Sequence, residues 1–233
     1  MLDTRSCEEI NPISKDLSIV LLFAQGYFYL MSLSALHQQI ERLREIFADY
    51  GFQMPLASPA TAAQIEAVEI ETGIAFDADL REFYQTTNGS SRFAWLAVQT
   101  DGLTPCTFPT LEKCFEWWRE WLPYDAGVHE QFGPAEDERD ARLQPQHYVH
   151  RRWFPIAEFN GWGTTVFFDA DLTSEGTFGQ VIAYQHDPDA VYFVADSFLD
   201  FLILSNDLLQ QNAANLLFVD GELSMWAPPQ LQA

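Results

Sequence analysis

The chain has 233 residues, with 34 Asp and Glu against 12 Lys and Arg and a formal net charge of −22. Phosphate neutralisation needs a basic face, and Lys15 and Lys113 are the only lysines, which argues against nucleic acid and against anionic membrane surfaces as ligands. Hydrophobic residues make up 48% and aromatic residues 15%, enough for one real core and at odds with wholesale disorder. The charge favours solubility and attraction to a cationic partner. Cys7, Cys106 and Cys114 form no CxxC pair and no disulfide framework. They read as small buried apolar residues of a protein kept in the reducing cytoplasm.

The N-terminal run 17–31 is apolar but about fifteen residues long, short of the ~20 that span a bilayer. Asp3, Glu8, Glu9 and Asp16 outweigh Arg5 and Lys15, so it lacks a signal peptide's basic start. It also lacks the basic face of an interfacial anchor. We expect the native chain to start at Met31, with 1–30 an upstream extension. Over 32–50, Leu33, Leu36, Ile40, Leu43, Phe47 and Tyr50 step by three and four, one face of a helix stopped at Gly51. Ser58-Pro59 predicts the start of a second helix carrying Ile65, Val68 and Thr72 and ending at Gly73. Asp77 predicts the cap of a third, with Leu80, Phe83 and Tyr84, stopped by Asn88-Gly89.

A strand is predicted over 93–99, then a helix over 110–122 whose Leu111, Cys114, Phe115, Trp118 and Trp121 read as core. Residues 123–150 read as a long loop. The segments 152–157, 164–169, 179–185 and 190–195 are β-type with short separators, an antiparallel meander. Ser197 opens a helix with Phe198, Phe201 and Leu202 on one face, and Asp220-Gly221 suggests a small terminal hairpin. The sum is an α+β fold: N-terminal helices, a meander of about four to six strands covered on one face, and a closing helix in a single domain. Its divisions are the extension 1–30, an N-terminal helix in 31–57, a domain 58–211 with an insertion at 103–150, and a tail 212–233.

Chemistry is hard to assemble from these residues. His147 and His150 form an HxxH pair with His129 upstream, but no four convergent ligands follow, and no metal or cofactor is expected. There is no G-x-S-x-G elbow, and Ser197 serves better as a helix cap. Nothing in the sequence brings Cys106 to His186 and an Asp. Gly161-Trp-Gly163 links two strands and precedes no helix N-terminus, so it is not a phosphate cradle. No catalytic residue is assigned.

Four blocks in order resemble the SUKH superfamily, which includes yeast cell-wall-assembly regulators and bacterial toxin-immunity proteins. The first is the helix 60–72 followed by Gly73-Ile-Ala-Phe-Asp-Ala-Asp-Leu-Arg-Glu-Phe83 and Asn88-Gly89, with Phe76-Asp77 where the family commonly has Leu-Pro. The second is Trp153-Phe-Pro155-Ile-Ala157 with Val166-Phe-Phe-Asp169. The third is Gly179-Gln-Val181, and the last Ala195-Asp-Ser197-Phe198-Leu-Asp-Phe201-Leu202. The resemblance spans roughly 58–205. It implies a binding module without catalytic residues, most often an immunity protein that covers the active face of a cognate toxin. A nuclease-type toxin presents a basic face, which an acidic inhibitor suits. The expected contacts are then acidic surface turns: Asp169, Asp171, Glu175, Asp187 and Asp189, with Glu136, Asp137, Glu138 and Asp140 in the loop. The other role the resemblance implies is a regulatory scaffold with several endogenous partners. Intact-mass measurement of the protein from its host is expected to give a chain beginning at Met31; a species containing Met1 overturns that start.

Overall fold

The computed structural model describes residues 19–24, 27–49, 51, 53–54, 56–90, 94–100, 102–125, 139–144, 148–159, 163–187, 189–212, 216–219 and 222–226. Cys7, Glu136, Asp137, Glu138 and His147 lie outside these residues. The apolar N-terminal run contains two strands, β1 (Ile19–Ala24) and β2 (Tyr27–Ser32), paired antiparallel with Val20 opposite Met31.

Three helices follow. In α1 (Ala35–Asp49), Leu36, Ile40, Leu43, Ile46 and Phe47 are buried, the face predicted from the spacing. The second helix, α2 (Ala62–Thr72), starts three residues later than Ser58-Pro59 suggested. Its cap is Thr61, whose hydroxyl accepts from the Gln64 amide while the Gln64 side chain accepts from the Thr61 amide. The displacement has a tertiary cause. Ala57 N donates to Gly89 O and Ala60 N to Tyr84 O, each at 2.8 Å, which holds 57–60 extended. Gly73 closes α2 in the left-handed region, and Asp77 caps α3 (Ala78–Thr86), both as predicted.

The main sheet has six antiparallel strands in chain order: β3 (Ala94–Gln99), β4 (Leu103–Thr107), β5 (Trp153–Phe159), β6 (Thr164–Asp169), β7 (Gln180–Gln185) and β8 (Ala190–Ala195). The segment 103–150 therefore carries a strand of the sheet and also α4 (Leu111–Trp121). Strands β4 and β5 meet at one residue pair, Thr107 opposite Glu158. The closing helix α5 (Phe198–Gln211) is capped by Ser197, whose hydroxyl accepts from the Asp200 amide at 3.0 Å. It packs on both β3 and β8, the two edges of the curled sheet. The terminal hairpin is β9 (Leu216–Val219) with β10 (Glu222–Trp226).

Both faces of the sheet are covered, where the sequence suggested one. Side chains alternate along a strand, and both sets are apolar here. Val166, Phe168, Val181 and Ala183 join α1, α3 and α5 in the larger core. That core is ring-rich: Phe83 and Phe108 centroids lie 4.3 Å apart, Phe76 and Phe154 4.8 Å, and Phe83 and Phe198 5.2 Å. Phe167, Ile182, Tyr184 and Trp153 face the other way and are covered by Trp117 and Trp121 of α4 with Leu143 and Val149. The irregular stretch read as a loop thus supplies part of a second core.

The family-signature residues are structural in this sense. Asn88 accepts from Leu111 N (2.7 Å) and donates to Glu112 (2.9 Å), tying α3 to the start of α4. A Cβ on Gly89 (φ 68°) would lie 2.3 Å from Pro109 O, so only glycine fits. Trp153, Phe198 and Phe201 are buried, and Pro155 stands in β5 beside an irregularity in its pairing with β6. Truncating a core leucine leaves a cavity that costs about 2–5 kcal/mol. Leu143→Ala is expected to lower stability by that order in urea unfolding; an unchanged midpoint would remove Leu143 from the second core.

Candidate functional site

The acidic turns assigned from sequence do not form one surface. Strands β6 and β7 pair from Thr164↔Gln185 at one end to Asp169↔Gln180 at the other. Five steps of about 3.3 Å separate the ends by roughly 17 Å. Asp171 and Glu175 lie in the turn at the Gln180 end. Asp187 and Asp189 lie in the β7–β8 turn at the Gln185 end.

Asp169 is not a surface contact at all. It is 1% exposed, and its two oxygens accept from the Asp171 amide at 2.7 Å and from Gln180 Nε2 at 2.8 Å. Burial pushes its carboxyl up to about 6 against the lowering pull of those bonds. Its backbone oxygen also accepts from Gly179 N, whose φ of 81° closes the β6–β7 turn. The residue shapes the turn from inside, because an alternating strand position next to Trp153 and Phe168 faces protein.

The remaining acids divide by what they touch. Asp171 meets His150 Nδ1 at 3.2 Å, and that ring's Nε2 lies 3.9 Å from Asp125. So His150 of the HxxH pair bridges carboxylates on two segments. Asp140 receives Arg142 through Nε (2.8 Å) and Nη2 (2.6 Å), which holds its carboxyl down at about 2. Arg142 also stacks on Phe193 and reaches Asp196 at 3.4 Å. Asp140, Asp171, Glu175 and Asp196 therefore gather at the Gln180 end, since Thr173 Oγ1 donates to Ala141 O and Gln180 Nε2 to Arg142 O. At the other end Asp189 accepts from the Tyr184 hydroxyl at 2.5 Å and lies 2.9 Å from His186 Nδ1. Burial, reinforced by that bond, raises the Tyr184 phenol. Asp187 is exposed with φ 63°, and a recess of about 230 Å³ opens beside it, lined by Thr100, Thr104, Thr164, Gln185 and His186 among others.

Nucleophilic arrangements are few. Cys106 and Cys114 are buried and free, and desolvation drives both thiols up, Cys114 to about 12. With Cys106 in the core and His186 on an exposed turn, that pair supports no thiolate chemistry. One cluster escaped the sequence: Ser34, His37, Glu82 and Thr86 between α1 and α3. Ser34 Oγ (3.2 Å) and Glu82 (3.0 Å) meet the same ring nitrogen of His37. A triad needs nucleophile and acid on opposite nitrogens, and Thr86 Oγ1 beside the other is 3.5 Å away. Ser34 Oγ accepts from the His37 amide, so the cluster caps α1. Among the described residues no three His, Cys, Asp or Glu side chains converge as metal ligands, and no helix is long and apolar enough to cross a membrane.

A second feature was also unforeseen, a groove of about 310 Å³ between α2 and α4 with an apolar floor and glutamates on both walls. It depends on packing of two helices forty residues apart, which no local pattern signals.

What the geometry defines is a sheet domain sealed on both faces by helices, carrying its charge on turns and helix exteriors. The chain belongs to the SMI1/KNR4 family (SUKH-1), whose model matches residues 59–204. Proteins of this family generally bind protein partners and are generally non-catalytic. The chain is 27% identical over 161 residues to a protein of Schizosaccharomyces pombe described as a cell wall biosynthesis/cell cycle regulator, smi1. The match takes in 66% of this chain and 32% of that relative, so the chain spans about a third of its length.

A carboxyl raised by the fold stabilises the protein most when protonated. Its contribution is complete below the unfolded value near 3.8 and is lost as pH rises through about 6. Asp169→Asn removes that titration. Relative to the parent, the variant is expected to gain roughly 2 kcal/mol of stability between pH 4 and pH 7, read from paired urea unfolding curves. A difference independent of pH would mean that Asp169 ionises normally.

Proposed function

We propose that the protein is a non-catalytic binding module that neutralises a cognate basic toxin, of nuclease type, in the cytoplasm of the cell it protects. The observation that carries this reading is the charge, −22 on 233 residues, on a fold of a family that generally binds protein partners. Such a field steers a basic domain into contact and raises the association rate. It also makes binding salt-sensitive. Of the acids first considered, Glu175 and Asp187 are exposed, whereas Asp140, Asp171 and Asp189 engage Arg142, His150 and Tyr184 of their own chain. Any contacts made by the acidic turns therefore come from one end of the strands or the other.

A second reading has its own support. The relative from Schizosaccharomyces pombe is described as a regulator, which favours a scaffold serving several endogenous proteins. Capture from host lysate on the tagged full chain, washed at rising salt, separates the two. The immunity reading expects one dominant basic partner at near-equal stoichiometry, released by salt, whose expression alone arrests growth and whose co-expression with this protein restores it. Several housekeeping partners, or a partner without toxicity, would overturn it in favour of the scaffold.

A further inference from the structure

The groove between α2 and α4 already holds an arginine. The guanidinium of Arg119 lies 4.1 Å from the centroid of the Phe115 ring and pairs across the groove with Glu71. Phe115 is itself stacked on Trp118 at 6.1 Å and 15°, so the platform is backed by the core. The other exposed carboxylate of the groove, Glu116, is held by Lys113 at 3.1 Å. Ala67, Val68 and Leu111 line the floor, and Glu112 and Glu116 stand along α4. Glu112 is fixed by bonds from Gln64 (2.8 Å) and Asn88 (2.9 Å). The side chains of Glu116 and Glu71 are 60% and 54% exposed, so both pairs stand in solvent, where an incoming cation competes with Lys113 and Arg119. An exposed pair such as Glu71–Arg119 is weakly held and exchanges readily.

We infer that this groove seats an arginine side chain of the basic protein partner, which takes the place of Arg119 on Phe115 and Glu71 or of Lys113 on Glu116. The inference rests on the protein-binding reading above and narrows it to one surface. On the Phe115 platform arginine is favoured over lysine, because its planar guanidinium stacks on a ring and forks to a carboxylate while lysine offers a hydrated point charge. Arg119 shows the pose within the same molecule.

The test is a titration of the full chain with tri-arginine amide and, separately, tri-lysine amide of equal charge, followed by two-dimensional NMR. Saturable shifts confined to 64–71 and 111–119 are expected for tri-arginine, with binding about tenfold weaker for tri-lysine. Phe115→Leu is expected to abolish that preference, and the surface change Glu116→Lys to weaken tri-arginine severalfold. Equal response to both peptides, or shifts spread over the acidic turns, would overturn the inference. If a partner is captured equally well by the Glu116→Lys chain, the groove fails and the binding reading stands. Groove-specific tri-arginine shifts with no partner captured from lysate would leave the groove and remove the toxin.

Discussion

A sheet whose strands are apolar on both sides has to be covered twice, and the layout of the chain follows from that demand. Phe168 and Phe167 are neighbours in sequence, yet one enters the core under α1, α3 and α5 and the other faces α4. Burying a side chain of that size is worth about 1.5–3 kcal/mol, so neither face is left to water. Helix α4 serves both sides at once, with Trp118 in the first core and Trp117 and Trp121 in the second. Leu143 and Val149 complete the second cover. Residues 139–144 and 148–150, just before β5, are thereby part of the packing as well as a connection.

The charge is distributed by the same logic. With both faces sealed, carboxylates stand on turns and helix exteriors, and many find a cation of the same chain: Asp140 with Arg142, Glu69 with Arg81, Asp207 with Arg42. Twelve bases cannot neutralise 34 acids, so the surplus forms the long-range field on which a basic partner would be drawn in. Asp169 stands apart from that field. It is a buried acid that holds the β6–β7 turn, its carboxyl pushed up to about 6 by desolvation.

Local signals were the legible ones. Asp77, Gly73 and Ser197 act within a few residues of themselves, and each does in the structure what its type and position suggested. Ser58-Pro59 misled because its neighbours are held extended by Gly89 and Tyr84, partners that spacing cannot reveal. Strand β4 was hidden by its brevity and by Pro105 at its centre. The second core escaped because adjacent tryptophans on α4 serve different faces, which blurs a single helical stripe. For the site, acid content was readable but geometry was not: the turns chosen lie at opposite ends of the strands, and Asp169 points inward. The α2–α4 groove has no sequence signature, being made by the meeting of distant helices.

The narrow junction between β4 and β5 divides the sheet's backbone into two hydrogen-bonded blocks. Pro105 and Pro155, one on each strand, have no amide hydrogen to offer across it. The block β3–β4 is fastened to the rest through side chains, among them Ser205 of α5, whose hydroxyl accepts from Ala97 N at 2.9 Å. Opening at this seam breaks almost no ladder, so its free energy is set by how firmly α5 grips the two edges it joins. The sheet is in effect a cuff clasped by α5, with its seam at the single pairing of Thr107 and Glu158.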